Sequence, residues 1–411
     1  MADAGPMQSS TVATRLRSRG GGVLGHIIEY LLQKIEFGSV TVVLPNDFRI
    51  ARQGAISGPD ARIIIRRWRA VWRLLIGGEV GLAEAYIDGD WWTPDLFAFL
   101  TFGAQNERAL GGSISGLASL RALNRARHWR RRNTRRGSKR NIAAHYDIGN
   151  AFYAQWLDRG MSYSSALYTR PYQSLETAQH AKIERTAELL EIVGGENILE
   201  IGCGWGGLTE RLATQCHVTG ITLSAEQLVF AKERLTKTNQ ATHASFRLQD
   251  YRDIDGQFDR IVSIEMLEAV GEAYWPHFFN KLRASLRPGG IAVLQVITID
   301  ETRFDNYRQK PDFIQKYIFP GGMLPTIHII ESHIARAGLK LIKTEFFADS
   351  YLRTLVEWQR RFHMAWPAIQ KLGFDEKFKR MWDYYLSYCQ AGFAAGALDV
   401  GFYKIVHASH C

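Results

Sequence analysis

The sequence predicts an α/β protein: a doubly wound, mostly parallel sheet preceded by a small α+β domain. Three observations carry that expectation. Strand and helix patterns alternate from Asn197 onward, one strand runs straight into a glycine turn that opens a helix, and an earlier stretch of mixed patterns is set apart by a basic segment containing Gly and Ser. At 411 residues the chain has room for two or three domains, and 46% apolar with 22% charged residues is the makeup of an ordinary globular protein. A disordered or fibrous chain is excluded.

Residues 1–22 hold no apolar signal core and read as the disordered lead-in of a cytoplasmic protein. Residues 23–105 form the small domain. Helical periodicity covers 24–35, a strand pattern covers 39–44, and Pro45-Asn46-Asp47 turns the chain into a second strand at 48–51. Another strand is expected over 61–68, then a short helix over 79–86, closed by the Asp88-Gly89-Asp90 turn before Trp91 and Trp92.

Residues 106–140 are a basic linker or interfacial segment. Positions 108–140 carry eleven Arg and Lys and no acid, so the excess of +10 sits there while the remaining 40 basic and 41 acidic residues nearly cancel. Leu117, Leu120, Leu123, Ala126 and Trp129 recur every three positions between arginines, the composition of a helix lying on an anionic membrane surface; a solvated basic linker fits equally well. A nucleic-acid-binding role is a remoter alternative, since arginines around Trp129 also suit phosphates, but no zinc-finger, RRM or helix-turn-helix signature accompanies them. Cys203, Cys216, Cys389 and Cys411 show no C-x-x-C spacing, which points to a reducing compartment and no metal site. No apolar run is long enough for a membrane-spanning helix.

Residues 141–411 make the large domain. Strand candidates are NILEI, HVTGITL, ASFRLQD, FDRIVSI, GIAVLQVITI and LKLIKTEFF, with helices expected over 208–213, 225–235, 273–286 and 331–337. Inserts at 300–323 and 358–396 are rich in aromatics and read as a helical lid over the C-terminal edge of the sheet.

Ile198-Leu199-Glu200-Ile201 enters the loop Gly202-Cys203-Gly204-Trp205-Gly206-Gly207. Glycines there permit close backbone approach by a ligand. A nicotinamide or flavin dinucleotide would want an acid at the end of the next strand, which instead reads Gly220-Ile221-Thr222-Leu223-Ser224. Glu200, just before the loop, suits the ammonium of S-adenosylmethionine, and Gln249-Asp250-Tyr251 at the end of the third strand could hold an adenine. Glu265 and Glu268, three apart after FDRIVSI, are either a coupled pair or one catalytic and one capping or ion-paired glutamate, the second being favoured. His328 and His363 read as core or surface residues.

The motifs His145-Tyr146-Asp147-Ile148-Gly149-Asn150, Met161-Ser162-Tyr163-Ser164, Leu199 to Gly207, Gly220 to Gln227, Glu268-Ala269-Val270-Gly271 and Lys316 to Gly322 together resemble the cyclopropane-fatty-acyl-phospholipid synthase family, in collinear order over roughly residues 25–405. Glu84-Ala85-Tyr86-Ile87-Asp88-Gly89-Asp90-Trp91-Trp92 resembles that family's lipid-binding domain. The resemblance implies a seven-stranded Rossmann-like methyltransferase sheet and transfer of a methyl group from S-adenosylmethionine to the cis double bond of a phospholipid acyl chain, giving a cyclopropane. A methyl- or methylene-branched chain is the alternative product. For the cofactor it implies Tyr163, Ser164, Glu200, Gly202, Gly204, Gly206, Thr222, Leu223, Ser224, Gln227, Asp250 and Tyr251. For catalysis it implies a bicarbonate held by Glu268, Tyr351, Ser165 and Gln295, the last two standing where many members have a cysteine and a histidine. The expected partners are anionic membrane phospholipids with unsaturated chains, met on the inner face of the membrane, and a second copy of the chain in a homodimer. Nucleic acid is not expected.

Overall fold

The computed structural model describes residues 22–111, 148–238 and 242–407. The expected disorder of the N-terminus, nearly all of the basic segment and the His145-Tyr146-Asp147 motif lie outside the described residues.

The small domain is a four-stranded sheet of order β2-β1-β3-β4, built from β1 (Phe37–Val43), β2 (Arg49–Gln53), β3 (Ile56–Ile65) and β4 (Trp91–Trp92), with β1 and β3 parallel. β3 begins before the expected position and stops at Ile65, because Arg66 N and Arg67 N donate to Asp90 O and turn the chain away. The helix expected over 79–86 is the second half of Arg69–Ile87, which kinks at Gly78, where φ is 62°. Asp95 accepts from Ala98 N and caps the helix Leu96–Gln105, which lies on β3.

The large sheet has the order β10-β11-β9-β8-β5-β6-β7, comprising β5 (Asn197–Ile201), β6 (His217–Thr222), β7 (Ala244–Leu248), β8 (Phe258–Ile264), β9 (Leu286–Ile299), β10 (Leu339–Phe346) and β11 (Leu398–His407). Seven strands with only β11 reversed match the expected mostly parallel sheet. β7 ends two residues early, since Asp250 instead caps the turn Tyr251–Asp253. Chain order runs outward from β5 through β6 to β7 and then returns to β8 on the other side, so the switch point lies between β5 and β8. Ligand crevices open at the carboxyl ends of strands at such a point. Here those ends deliver the glycine loop and Glu265.

The lid is helical as expected, but it starts earlier: Ala348–Lys371 begins directly after β10 and packs on Glu376–Ala394. Trp358, Phe362 and Trp382 of these two helices pack with Phe152, Tyr153 and Trp156 in one buried aromatic cluster, with Phe152 and Trp382 ring centroids 4.9 Å apart. The helix Glu376–Ala394 also packs on Arg69–Ile87 and Leu96–Gln105, so the lid is the part of the large domain that grips the small one. Around that contact Tyr317 Oη donates to Glu84 Oε1 at 2.7 Å, Arg380 Nε to Ile87 O at 2.7 Å and Tyr86 Oη to Asp383 Oδ2 at 3.2 Å. His363 is half-exposed and bonds Asp383, and His328 is exposed, so both are surface histidines.

Candidate active site

At the end of β5 Glu200 is buried and accepts from Thr209 Oγ1, and burial pushes its carboxyl up to about 7. A cation placed beside such a group would restore its charge. The loop after it is pinned by Gly202 N and Cys203 N, which both donate to Ile221 O of β6 at 3.0 Å. Gly206 sits in the left-handed region at φ 83°, and a Cβ there would stand 2.8 Å from Phe246 Cζ. A Cβ on Gly204, by contrast, would meet nothing within 4 Å, because Gly204 faces the cavity.

Thr222, Leu223 and Gln227 line the same cavity, and Thr222 Oγ1 donates to Gln227 Oε1 at 2.8 Å. Ser224 is the N-cap of the helix Ala225–Lys237 and does not line it. Asp250 is held by Arg252, Nε to Oδ1 at 2.8 Å, and it too stays out of the lining, whereas its neighbours Gln249 and Tyr251 enter it. The Tyr251 hydroxyl is buried with no partner among the described residues. An orphaned hydroxyl, a buried carboxyl pushed up by burial and open space over Gly204 fit S-adenosylmethionine at this end.

Tyr163 shares a hydrogen bond with Tyr385, Oη to Oη at 2.9 Å, and Ser164 Oγ accepts from Lys182 Nζ at 2.8 Å. Lys182 is fully buried between the glycine loop and the carboxylates, and burial lowers its pKa against the pull of Glu265, Asp158 and Glu200. The sequence reading missed it. It rides on the helix Leu175–Leu189, whose weak apolar periodicity left the whole helix unassigned.

The carboxylate end differs from the expected arrangement. Ser165 N and Gln295 Nε2 donate to Glu265 Oε1 at 2.8 and 2.7 Å, and Tyr351 Oη donates to Glu265 Oε2 at 2.8 Å. Three of the four residues assigned to a bicarbonate therefore converge on Glu265, which was favoured as a capping or ion-paired residue. Glu268, the fourth, accepts from Ile297 N at 2.5 Å, and its other oxygen has no partner among the described residues. Ser165 Oγ turns to Ala166 O at 2.9 Å. The donors that a bicarbonate would need are already taken by a carboxylate of the chain itself, so the residues present do not fit that ion.

Glu265 has a left-handed backbone, φ 48°, outside any helix, and its N donates to Gln295 O at 2.8 Å. Burial raises its pKa, opposed by Ser165, Tyr351, Lys182 and Gln295. Burial and then the charge of Glu265 push Glu268 up to about 8. The two are thus a coupled pair in which three donors favour the charged form on Glu265, leaving Glu268 the more readily protonated of the two.

Both ends open into one cavity of about 670 Å³. Beyond Glu265 and Glu268 it runs into the small domain between Ile28, Leu31, Val40, Val42, Ile63 and Leu100. That extension is aliphatic on every one of these positions.

The profile of the mycolic acid cyclopropane synthetase family matches residues 133–403. The chain belongs to that family. It is 38% identical over 343 residues to a tuberculostearic acid methyltransferase of Mycobacterium tuberculosis, covering 79% of this chain and 78% of the relative. It is 35% identical over 352 residues to the cyclopropane-fatty-acyl-phospholipid synthase of Escherichia coli K12, covering 81% and 84%. Those shares are too large to fall within 133–403, so the likeness reaches into the chain before residue 133. Among solved structures, the cyclopropane synthase MmaA2 from M. tuberculosis superposes with a TM-score of 0.61 at 28% identity, covering 65% of this chain and 97% of that one. The mycolic acid cyclopropane synthase CmaA1, solved with SAH and CTAB, gives a TM-score of 0.61 at 27% identity with the same coverage. This member of the mycolic acid cyclopropane synthetase family is an S-adenosylmethionine-dependent methyltransferase that modifies lipid acyl chains.

Proposed function

We propose that the protein transfers a methylene group from S-adenosylmethionine to the cis double bond of an unsaturated acyl chain in a membrane phospholipid, forming a cyclopropane. The observation that supports this most is the continuity of the cavity: a polar end with Glu200 and the glycine loop, a carboxylate pair in the middle, and an aliphatic extension inside the small domain. An alkene is a weak nucleophile, and a dry, aromatic-walled site is what its attack on a strong electrophile requires.

When bound, S-adenosylmethionine supplies that electrophile as its sulfonium methyl. Glu200 would hold the ammonium and Gln249 and Tyr251 the adenine. Tyr163 and Ser164, which line the cavity, stand between the cofactor end and the carboxylates. The aliphatic channel would hold the acyl chain straight enough to bring its double bond beside Glu265. The resulting cation must lose a proton to close the ring.

A methyl- or methylene-branched product is the second reading, supported by the tuberculostearic acid methyltransferase among the relatives and by Gln295 in the place of a histidine. The basic segment 108–140 would dock the enzyme on the inner face of an anionic membrane, each cationic side chain near the surface contributing ~1 kcal/mol, and a homodimer is the expected assembly.

Methyl-13C-labelled S-adenosylmethionine, incubated with the enzyme and vesicles of unsaturated phosphatidylglycerol, tests the reading. Label should enter the intact phospholipid. Label in free fatty acid alone, or none in the lipid phase, contradicts the phospholipid substrate.

A further inference from the structure

We propose that Glu265 is the base that takes the ring-closing proton, its side-chain carboxylate standing in for an external bicarbonate. The proposal rests on the acyl-methylation reading above and names the group that finishes that reaction.

The geometry is that of a built anion site with its anion supplied by the chain. Three donors from three distant elements, the 165 backbone amide, the Gln295 amide on β9 and the Tyr351 hydroxyl on the helix Ala348–Lys371, meet both oxygens of one carboxylate at 2.7 to 2.8 Å. A carboxylate and a bicarbonate present the same planar pair of acceptor oxygens, so donors arranged for one serve the other. Glu265 and Tyr351 line the cavity while Ser165 and Gln295 do not, so the carboxylate faces the substrate space with two of its three donors behind it.

The backbone supports the same assignment. A glutamate at φ 48° adopts a conformation that ordinarily favours glycine, and such strain persists where the surroundings over-determine it. Here Glu265 N to Gln295 O, together with the three side-chain bonds, fixes it.

Among the described neighbours none is an equal candidate: Lys182 Nζ is held by Ser164 Oγ and feels the charges of three carboxylates, which favour its protonated form. Gln295 has no basic nitrogen, Ser165 Oγ is spent on Ala166 O, and Tyr351 is already donating to Glu265. Glu268 lacks the three donors that stabilise the charged form of Glu265 and is the more readily protonated of the two.

The step balances without another reactant. The alkene π pair forms the new carbon–carbon bond to the donor methyl while the carbon–sulfur pair leaves on sulfur, giving the thioether and a carbocation on the neighbouring chain carbon. Glu265 takes a proton from the transferred methyl, and the freed carbon–hydrogen pair bonds to the cationic carbon. The ring is closed and Glu265 is a neutral acid, which returns its proton to water as product leaves.

The wild-type protein is first titrated with 13C-bicarbonate and followed by NMR, and its turnover on phospholipid vesicles is compared in carbonate-depleted and carbonate-supplemented buffer. No bound signal and equal turnover are expected. Glu265→Gln should lose on the order of 10²- to 10⁴-fold in turnover while calorimetry shows S-adenosylmethionine affinity retained. Glu265→Gly relaxes the backbone and frees the three donors, so it should bind 13C-bicarbonate and regain turnover when bicarbonate is added. Bicarbonate bound to or required by the wild type, or full turnover in Glu265→Gln, overturns the proposal. A wild type that methylates no lipid defeats the reading of function instead, whereas one that methylates lipid only with bicarbonate defeats the role of Glu265 alone.

Discussion

The donor end of the cavity comes from short, continuous runs of chain at strand ends, 199–207, 222–227 and 249–251, whereas the carboxylate end draws Ser165, Glu265, Gln295 and Tyr351 from four widely separated segments. Runs of the first kind carry their geometry in local sequence, because a strand, a glycine turn and a helix start are local events. A cluster of the second kind exists only once β8, β9 and the lid helix have packed. That difference decides how a replacement acts: losing Glu265 at the carboxylate end strands three donors at once, while a side chain added in the glycine loop acts where it stands.

The widest separation should come from the glutamate pair. Glu265→Gln is expected to cost about 10³-fold in turnover, and Glu268→Gln about 10-fold, because glutamine resembles the neutral acid that Glu268 already is. Equal losses measured under single-turnover conditions would break the distinction between the two carboxylates.

At the donor end, Glu200→Gln removes the charge that would meet the ammonium. Hydrogen bonds to charged groups are worth about 1.5–3 kcal/mol, so affinity for S-adenosylmethionine should fall about 10- to 100-fold by calorimetry. Turnover at saturating cofactor should change much less. An unchanged affinity would move the ammonium elsewhere.

Two neighbouring glycines sharpen the same contrast within the loop. Gly206→Ala meets Phe246 at 2.8 Å in a left-handed backbone and should destabilise the fold by about 1–3 kcal/mol in thermal unfolding. Gly204→Trp carries the same left-handed strain at φ 51° but meets no atom within 4 Å, so its loss of stability should come from the backbone alone while cofactor binding is lost. The reverse pattern would mean that Gly204 supports the fold and Gly206 the ligand.

The pair also predicts a pH slope. Glu268 lies at about 8 in the fold against an ordinary 4.5, so the folded state binds its proton more tightly than the unfolded chain does between those values. Its contribution to stability is fully present below 4.5 and is lost as pH rises through about 8. Denaturant unfolding of Glu268→Gln should therefore lose less stability than the wild type between these pH values. Parallel curves would place the shared proton on Glu265.

Much of the fold was legible because its elements announce themselves locally. NILEI into the glycine loop and FDRIVSI before the glutamates appear where periodicity and turn residues put them, and the aromatic lid is helical although its first long helix starts ten residues early. β11 was not assigned to any residues, although seven strands were expected: LDVGFYKIVH mixes Gly401 and Lys404 into its run and gains its place by antiparallel pairing with β9 and β10, a tertiary fact. The helix Leu175–Leu189 and its buried Lys182 escaped for a related reason, since a lysine in a polar-looking helix reads as solvent-facing until Ser164 and three carboxylates are seen around it. At the site, the glycines and Glu200 could be found by spacing. The exchange of Glu268 for Glu265 at the centre of the donor cluster could not, because both follow the same strand and only the packed positions of Ser165, Gln295 and Tyr351 tell them apart.

The central claim, methyl transfer to an alkene followed by loss of a proton from that same methyl, is tested most directly with S-adenosylmethionine carrying a trideuterated methyl group. Unsaturated phospholipid vesicles are incubated with enzyme and this donor, and the lipid product is read by mass spectrometry and deuterium NMR. The expected product keeps two of the three deuterium atoms, both on a cyclopropane ring methylene, the third having left by way of Glu265. A product that keeps all three on a methyl branch, or a lipid that gains no deuterium, would contradict it.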